Sequence, residues 1–137
     1  MAGGRDFEKG LILISDTLEK MGHKVVTKDN VVRNEFKDII KRTRKERERI
    51  MERDKKRVRN CDAFIAEVST YSHGVGYEHR YAEENNKPIL FLRDKSLSDK
   101  EPSAFHDGTI YKKFMFFFYN EKNIKSILKK FFIKYGK

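Results

Sequence analysis

A second cysteine is missing from this 137-residue chain, in which Cys61 stands alone. An internal disulfide is therefore excluded, and a reducing, cytoplasmic setting is expected. No histidine lies near Cys61 in a recognisable motif, so the thiol reads as a small buried hydrophobe rather than a nucleophile. No apolar run approaches the roughly 18 residues of a membrane span. The N-terminal stretch lacks the apolar segment of a secretory signal. His73, His79 and His106 form no metal-spaced cluster, and His23 at a helix end reads as solvated. No metal and no redox cofactor is expected. There is no internal repeat and no low-complexity linker, so one domain over residues 1–137 is expected, long enough for a real core.

What the chain has in excess is positive charge. Its 31 Lys and Arg stand against 21 Asp and Glu, for a net charge of +10. That balance favours anionic partners such as nucleotides, nucleic acid or acidic surfaces, without choosing among them.

Gly3-Gly4-Arg5 precedes a helical pattern from about Asp6 to Met21, with Phe7, Leu11, Ile14, Leu18 and Met21 on one face and Gly22 at its end. A glycine-rich turn with an arginine at a helix start is a candidate phosphate cradle, or else an ordinary turn. Lys24–Thr27 reads as a short strand, and residues 29–34 as a polar connection. A long helix follows from about Glu35 to Asn60, its inner stripe marked by Phe36, Ile39, Ile40, Thr43, Ile50, Met51 and Val58. The dense charge run between Lys41 and Arg59 reads as a solvated face laced with i,i+4 pairs; a nucleic-acid patch is the less favoured reading. Asp54 falls three residues after Met51 and four before Val58, on the apolar stripe. An acid there is either capped by a basic neighbour or functional, and spacing alone leaves the two even.

The centre of the chain is the stretch Asp62–Glu78. Ala63 to Val68 is a short apolar run suited to a strand buried on both faces. Ser72-His73-Gly74-Val75-Gly76 follows as a glycine loop, and Tyr77–Glu84 reads as a helix with Glu78 in its first turn. Strand, glycine loop and helix in succession build a ligand site at the carboxyl end of a sheet. Gly74 and Gly76 allow close approach of a substrate, and the helix start favours an ionised Glu78. Lys87–Leu92 is the next strand, with Pro88 at its tolerant start. Residues 93–111 form a long polar loop. Phe114–Tyr119 is a final strand, and Asn120 is placed to cap a last helix with Ile124, Ile127, Leu128, Phe131, Phe132 and Tyr135 on its apolar face. The aromatic run reads as core or subunit interface. This alternation gives an α/β domain of three layers around a mainly parallel sheet.

The pattern Asp-x-x-x-Ala-Glu-Val-Ser followed by Ser-x-Gly-Val-Gly-Tyr-Glu resembles the nucleoside 2-deoxyribosyltransferase superfamily, and within it the 2'-deoxynucleoside 5'-phosphate N-hydrolases. Gly3-Gly4-Arg5-Asp6, Asp54, Lys87-Pro88-Ile89-Leu90 and Pro102-Ser103-Ala104 extend the likeness, in order of elements, over nearly the whole chain. The resemblance implies a Rossmann- or flavodoxin-like fold, no cofactor, a deoxynucleotide substrate and a homodimer. It assigns Glu78 as nucleophile and Asp54 as the acid or orienting partner near the base. Gly3, Gly4, Arg5, Ser72 and Ser103 match phosphate positions, with Ser103 donated across the subunit interface. The family places a strand before the glycine turn. Here the chain starts at Met1-Ala2, already inside the turn, so either it is truncated or its sheet has one strand fewer. The chemistry suits the residues, because breaking an N-glycosidic bond builds positive charge on the sugar that a carboxylate can stabilise or trap. A nucleoside deoxyribosyltransferase and a non-catalytic nucleotide- or RNA-binding module are the alternatives.

Overall fold

The computed structural model describes residues 2–27, 42–70, 72–101 and 107–136, with side chains described from Glu8 onward. Phe36, Ile39, Ile40, residues 29–34, Ser103 and His106 therefore lie outside the described residues. The elements run α1 (Ala2–Lys20), α2 (Arg44–Asn60), β1 (Phe64–Glu67), α3 (His73–Glu84), β2 (Ile89–Asp94), a 3-10 turn (Lys95–Leu97), β3 (Phe114–Tyr119) and α4 (Ile124–Tyr135). Among the described residues no helix is long and apolar enough to cross a membrane.

β2 is the centre of the sheet, which has the order β1-β2-β3 and is parallel throughout. The register pairs Phe64 with Ile89 and Glu67 with Leu92 on one side, and Ile89 with Phe114 and Asp94 with Tyr119 on the other. Ile89, Leu90, Phe91 and Leu92 are at most 1% exposed, as the unbroken apolar run requires. Successive side chains point to opposite faces, so the strand feeds two cores. Leu90 and Leu92 join Ile14 and Leu18 of α1 and Ile124, Ile127, Leu128 and Phe131 of α4. Ile89 and Phe91 join Val58 of α2, Ala66 and Val68 of the β1 segment and Ala82 of α3. The result is the expected α/β architecture of three layers, with α1 and α4 on one face and α2 and α3 on the other, consistent with a Rossmann- or flavodoxin-like fold.

Several local expectations are corrected. Lys24–Thr27 forms no strand: after Gly22, which takes a φ of +91°, the chain is irregular and turns at Val26-Thr27. Among the described residues no strand lies beside these two valines to bond them. The helix end itself is as expected, closed by bonds from the Gly22 N–H to Glu19 and from the His23 N–H to Leu18. His23 is half-buried and stacked on Phe132 at 4.0 Å rather than solvated. Gly3-Gly4-Arg5 lies inside α1, which begins at Ala2, so its backbone is helical and not a turn ahead of the helix. Asn120 does not cap α4. Its side chain accepts from the N–H groups of Lys122 and Asn123 in a turn that precedes the helix, whose cap position is Asn123. Cys61 is half-buried at the end of α2, and burial raises its thiol pKa, which suits a packing role.

α1 lies close against the sheet at Gly10, where an added Cβ would overlap the Tyr119 hydroxyl. Tyr119 is 2% exposed, and its hydroxyl has no hydrogen-bond partner among the described residues. Gly10→Ala should therefore destabilise the fold by about 1–2 kcal/mol, overlap outweighing the roughly 1 kcal/mol that alanine gains in a helix. Adding Tyr119→Phe should restore or exceed the starting stability, because it removes both the clash and a buried unpartnered hydroxyl. Urea unfolding of the single and double variants checks this; equal losses in both would contradict it.

Candidate active site

α2 begins at Thr43 with a capping box. The Thr43 hydroxyl accepts from the Glu46 N–H at 3.2 Å, and the Glu46 carboxylate accepts from the Thr43 N–H at 3.0 Å. α3 begins at Ser72, whose hydroxyl oxygen accepts from the Val75 N–H at 3.3 Å. Both helices start at the carboxyl end of the sheet, run back along one face, and pack against each other. Ser72 is a strong enough cap to start α3 ahead of the glycines, so Gly74 and Gly76 form its first turn instead of a loop. Glu78 consequently sits in the second turn, not the first.

Between α2 and α3 lies a groove of about 240 Å³, lined by Arg47, Ile50, Met51, Asp54, Lys55, Val58, Gly74, Tyr77, Glu78 and Tyr81. The two acids singled out from the sequence thus line one groove. Asp54 is both paired and placed in the groove: Arg53 Nε is 3.1 Å and Arg57 3.5 Å from Oδ1. Spacing had left capping and function as alternatives; Asp54 is capped by basic neighbours and also lines the groove. Among the described residues no such cation is paired with Glu78. Burial first, and then the negative charge of Asp54, pushes its carboxyl up to about 7. Near neutral pH the Glu78 carboxyl is therefore close to its midpoint and not held well below it by the helix start, an effect that fades beyond the first turn.

The groove's walls were not legible as site residues. Tyr77 and Tyr81 stack with ring centres 6.4 Å apart, Lys55 lies 5.5 Å over the Tyr81 ring, and Arg59 donates to the Tyr81 hydroxyl at 2.8 Å. The i,i+4 spacing of the two tyrosines was the available signal. Ser72 is exposed at the mouth of α3. Of the remaining expected residues, Gly3, Gly4 and Arg5 are placed only as helical backbone, and Ser103 is outside the described residues. Among the described residues no group of histidines, cysteines and acids is arranged to hold a metal.

A helix pair presenting two carboxylates at the carboxyl end of a parallel sheet defines an α/β chain with a candidate acid–base groove. No family model matches the chain. Over 43 residues it is 54% identical to a protein of Syntrophotalea carbinolica described as "Putative 2'-deoxynucleoside 5'-phosphate N-hydrolase 1". That match spans 31% of this chain and 30% of the relative.

Raised from 4.5 to about 7, Glu78 binds its proton more tightly in the folded chain than in the unfolded one. Its contribution to stability is full below the unfolded pKa and is lost as pH rises through about 7. Glu78→Gln should thus leave melting near pH 4 almost unchanged and raise stability at pH 8, by no more than about 3 kcal/mol at about 1.4 per pH unit. Thermal melts of both proteins across that range test the sign; a variant less stable at pH 8 would show that the carboxylate is held by a favourable contact.

Proposed function

We propose that the chain hydrolyses the N-glycosidic bond of 2'-deoxynucleoside 5'-monophosphates, releasing free base and 2-deoxyribose 5-phosphate. The observation that carries this reading is the pairing of Asp54 and Glu78 in one groove, together with the partial likeness to a protein described as such a hydrolase. Glu78 is the nucleophile, attacking the anomeric carbon as the base departs. Its high proton affinity makes the ionised form a stronger nucleophile than an ordinary carboxylate. Asp54 orients the leaving base or assists its protonation. The stacked tyrosines supply an apolar wall for a flat ring, and Lys55 and Arg47 a basic margin. The Ser72 hydroxyl accepts its cap bond through oxygen and keeps its hydrogen for a phosphate. Gly76 fits the same reading, since a Cβ there would meet nothing within 4 Å and no packing constraint calls for glycine. In this reading the competent unit is a single-domain homodimer in the cytoplasm, with Gly3, Gly4, Arg5 and the neighbour's Ser103 completing the phosphate contacts.

Incubation with a panel of deoxynucleoside monophosphates, scored for free base, is the direct test; no release from any of them would end the hydrolase reading. Transfer of the sugar to an added free base, in preference to water, would identify a deoxyribosyltransferase instead. Glu78→Gln should abolish single-turnover base release while remaining folded. Wild-type kcat/KM should rise with pH through about 7 as Glu78 ionises. Asp54→Asn should slow the reaction and also move that limb to lower pH, because the charge that raises the Glu78 pKa is gone. A limb that stays put would remove Asp54 from contact with the reacting group. Ser72→Gly, which keeps most of the helix cap, should weaken use of the monophosphate by about 1.5–3 kcal/mol and spare any activity on the free nucleoside.

A second reading has its own observation. Lys122, Lys125, Lys129 and Lys130 of α4 and its flank surround a shallow depression lined by no carboxylate, with Ile133 85% exposed beside them. Such a face suits a polyanion, and a steep fall of nucleic-acid affinity with salt, without base release, would favour a binding module.

A further inference from the structure

α4 carries Lys125, Lys129, Lys130 and Lys134 and no aspartate or glutamate. With Lys122 just ahead of it, these lysines recur at i,i+3 and i,i+4 spacings, where like charges repel. Lys122 and Lys125 also stand at the amino end of the helix, where the macrodipole disfavours a cation. α2 carries more basic residues but lays acids among them. There Arg44 reaches Glu48 at 3.1 Å, Lys55 reaches Glu52 at 3.6 Å and Arg57 reaches Asp54 at 3.5 Å. Among the described residues no acid forms an ion pair with Lys122, Lys125, Lys129 or Lys130. An anion from outside relieves a repulsion that the helix does not relieve within itself.

These four lysines are exposed and, with Ser126 and Ile133, line a shallow depression on the outer side of α4. Lys130 lies 5.4 Å over the ring of Phe117, a half-buried residue of β3, so the basic face reaches an aromatic side chain at its margin. Lysine and serine side chains are common donors to phosphate oxygens, and an aromatic ring beside them can take a base. A bilayer fits this face less well. It needs an apolar helix face to enter the headgroup boundary, and Ile124, Ile127, Leu128 and Phe131 hold that face of α4 in the core. Of the apolar side chains of α4, Ile133 is the exposed one.

We propose that the outer face of α4 docks the phosphodiester backbone of a nucleic acid, with Lys122, Lys125, Lys129 and Lys130 as its phosphate contacts. α4 covers one face of the sheet, and the groove lies on the other, between α2 and α3. The two surfaces are separate, so a bound strand leaves the groove open. Docking at α4 therefore accompanies the chemistry of the groove, whereas the binding-module reading replaces it. It stands on the acid-free face of α4, whatever the groove does.

The experiment is fluorescence anisotropy of a labelled single-stranded oligonucleotide, titrated with the whole chain at several salt concentrations. Each phosphate neutralised on a single strand contributes about 0.7 to the fall of log affinity with log salt. Changing Lys122, Lys125, Lys129 and Lys130 together to Gln should lower that slope by about 3 and weaken binding about a hundredfold at physiological salt. Changing Lys45, Lys56, Lys95 and Lys100 to Gln removes the same charge from exposed positions elsewhere and should leave the slope nearly unchanged. Equal losses in the two variants would mean that net charge alone holds the strand, and would overturn the site; so would no binding by the wild type. Sedimentation with vesicles containing phosphatidylserine tests the partner: a wild type that binds the vesicles and not the strand overturns the nucleic acid. If the α4 variant does not fold, Lys125→Gln combined with Lys129→Gln should still remove about half of that slope change, and an unchanged slope removes the site. Base release from a deoxynucleoside monophosphate should be equal in the wild type and the folded α4 variant; its loss there would contradict the separation of the two surfaces. A chain that binds the strand through α4 but releases no base separates a failed hydrolase reading from a failed docking surface.

Discussion

Burial of β2 on both faces is the constraint from which the rest of the molecule follows. A strand with Ile89, Leu90, Phe91 and Leu92 almost wholly removed from water needs a helical layer on each side. Parallel pairing to β1 and β3 then requires each connection to cross over the sheet, so α3 must begin where β1 ends. The beginning of α2, the beginning of α3 and the exit of β2 are thereby gathered at one edge. Side chains brought there meet a partly dry environment set by the apolar core beneath, and their electrostatics follow from that position.

Three ionisable groups at this edge register the dryness in different ways. Burial raises the Glu78 pKa to about 7, Arg93 lies buried with its Nε unpartnered among the described residues, and Asp54 is paired with two arginines of its own helix. Only the last is an arrangement that stability alone would select. Groups kept in unfavourable states concentrate where binding or catalysis uses them. The α4 face presents the contrast: Lys122, Lys125, Lys129 and Lys130 are exposed to solvent.

The layers were legible in the sequence because they rest on long, redundant signals. Phe114–Tyr119 and the apolar face of α4 were read almost residue for residue, since periodicity and burial agree there. Local conflicts were misjudged. Gly74 and Gly76 argue against a helix by propensity, but one hydroxyl at Ser72 outweighs them. Val25 and Val26 favour a strand by propensity, yet no described strand pairs with them. The candidate site was half visible. Asp54 stood out as an acid on an apolar stripe and Glu78 by its motif, and the likeness carried their roles. That Arg53 and Arg57 would take Asp54 could not be picked out of so dense a charge run. Arg93 looked like the first polar residue after a strand, because nothing in its spacing reveals that the chain closes over it.

Glu67 carries a consequence of its own. It sits on β1, an outer strand among the described ones, and is only 3% exposed. Sliding β1 by one residue against β2 would exchange its two faces and thrust this carboxylate among Val58, Ala82 and Phe91. The four-residue strand is too short for its apolar residues to fix the alignment by number alone. A single buried acid thus acts as an alignment key, admitting one docking of β1 during folding and rejecting its neighbours.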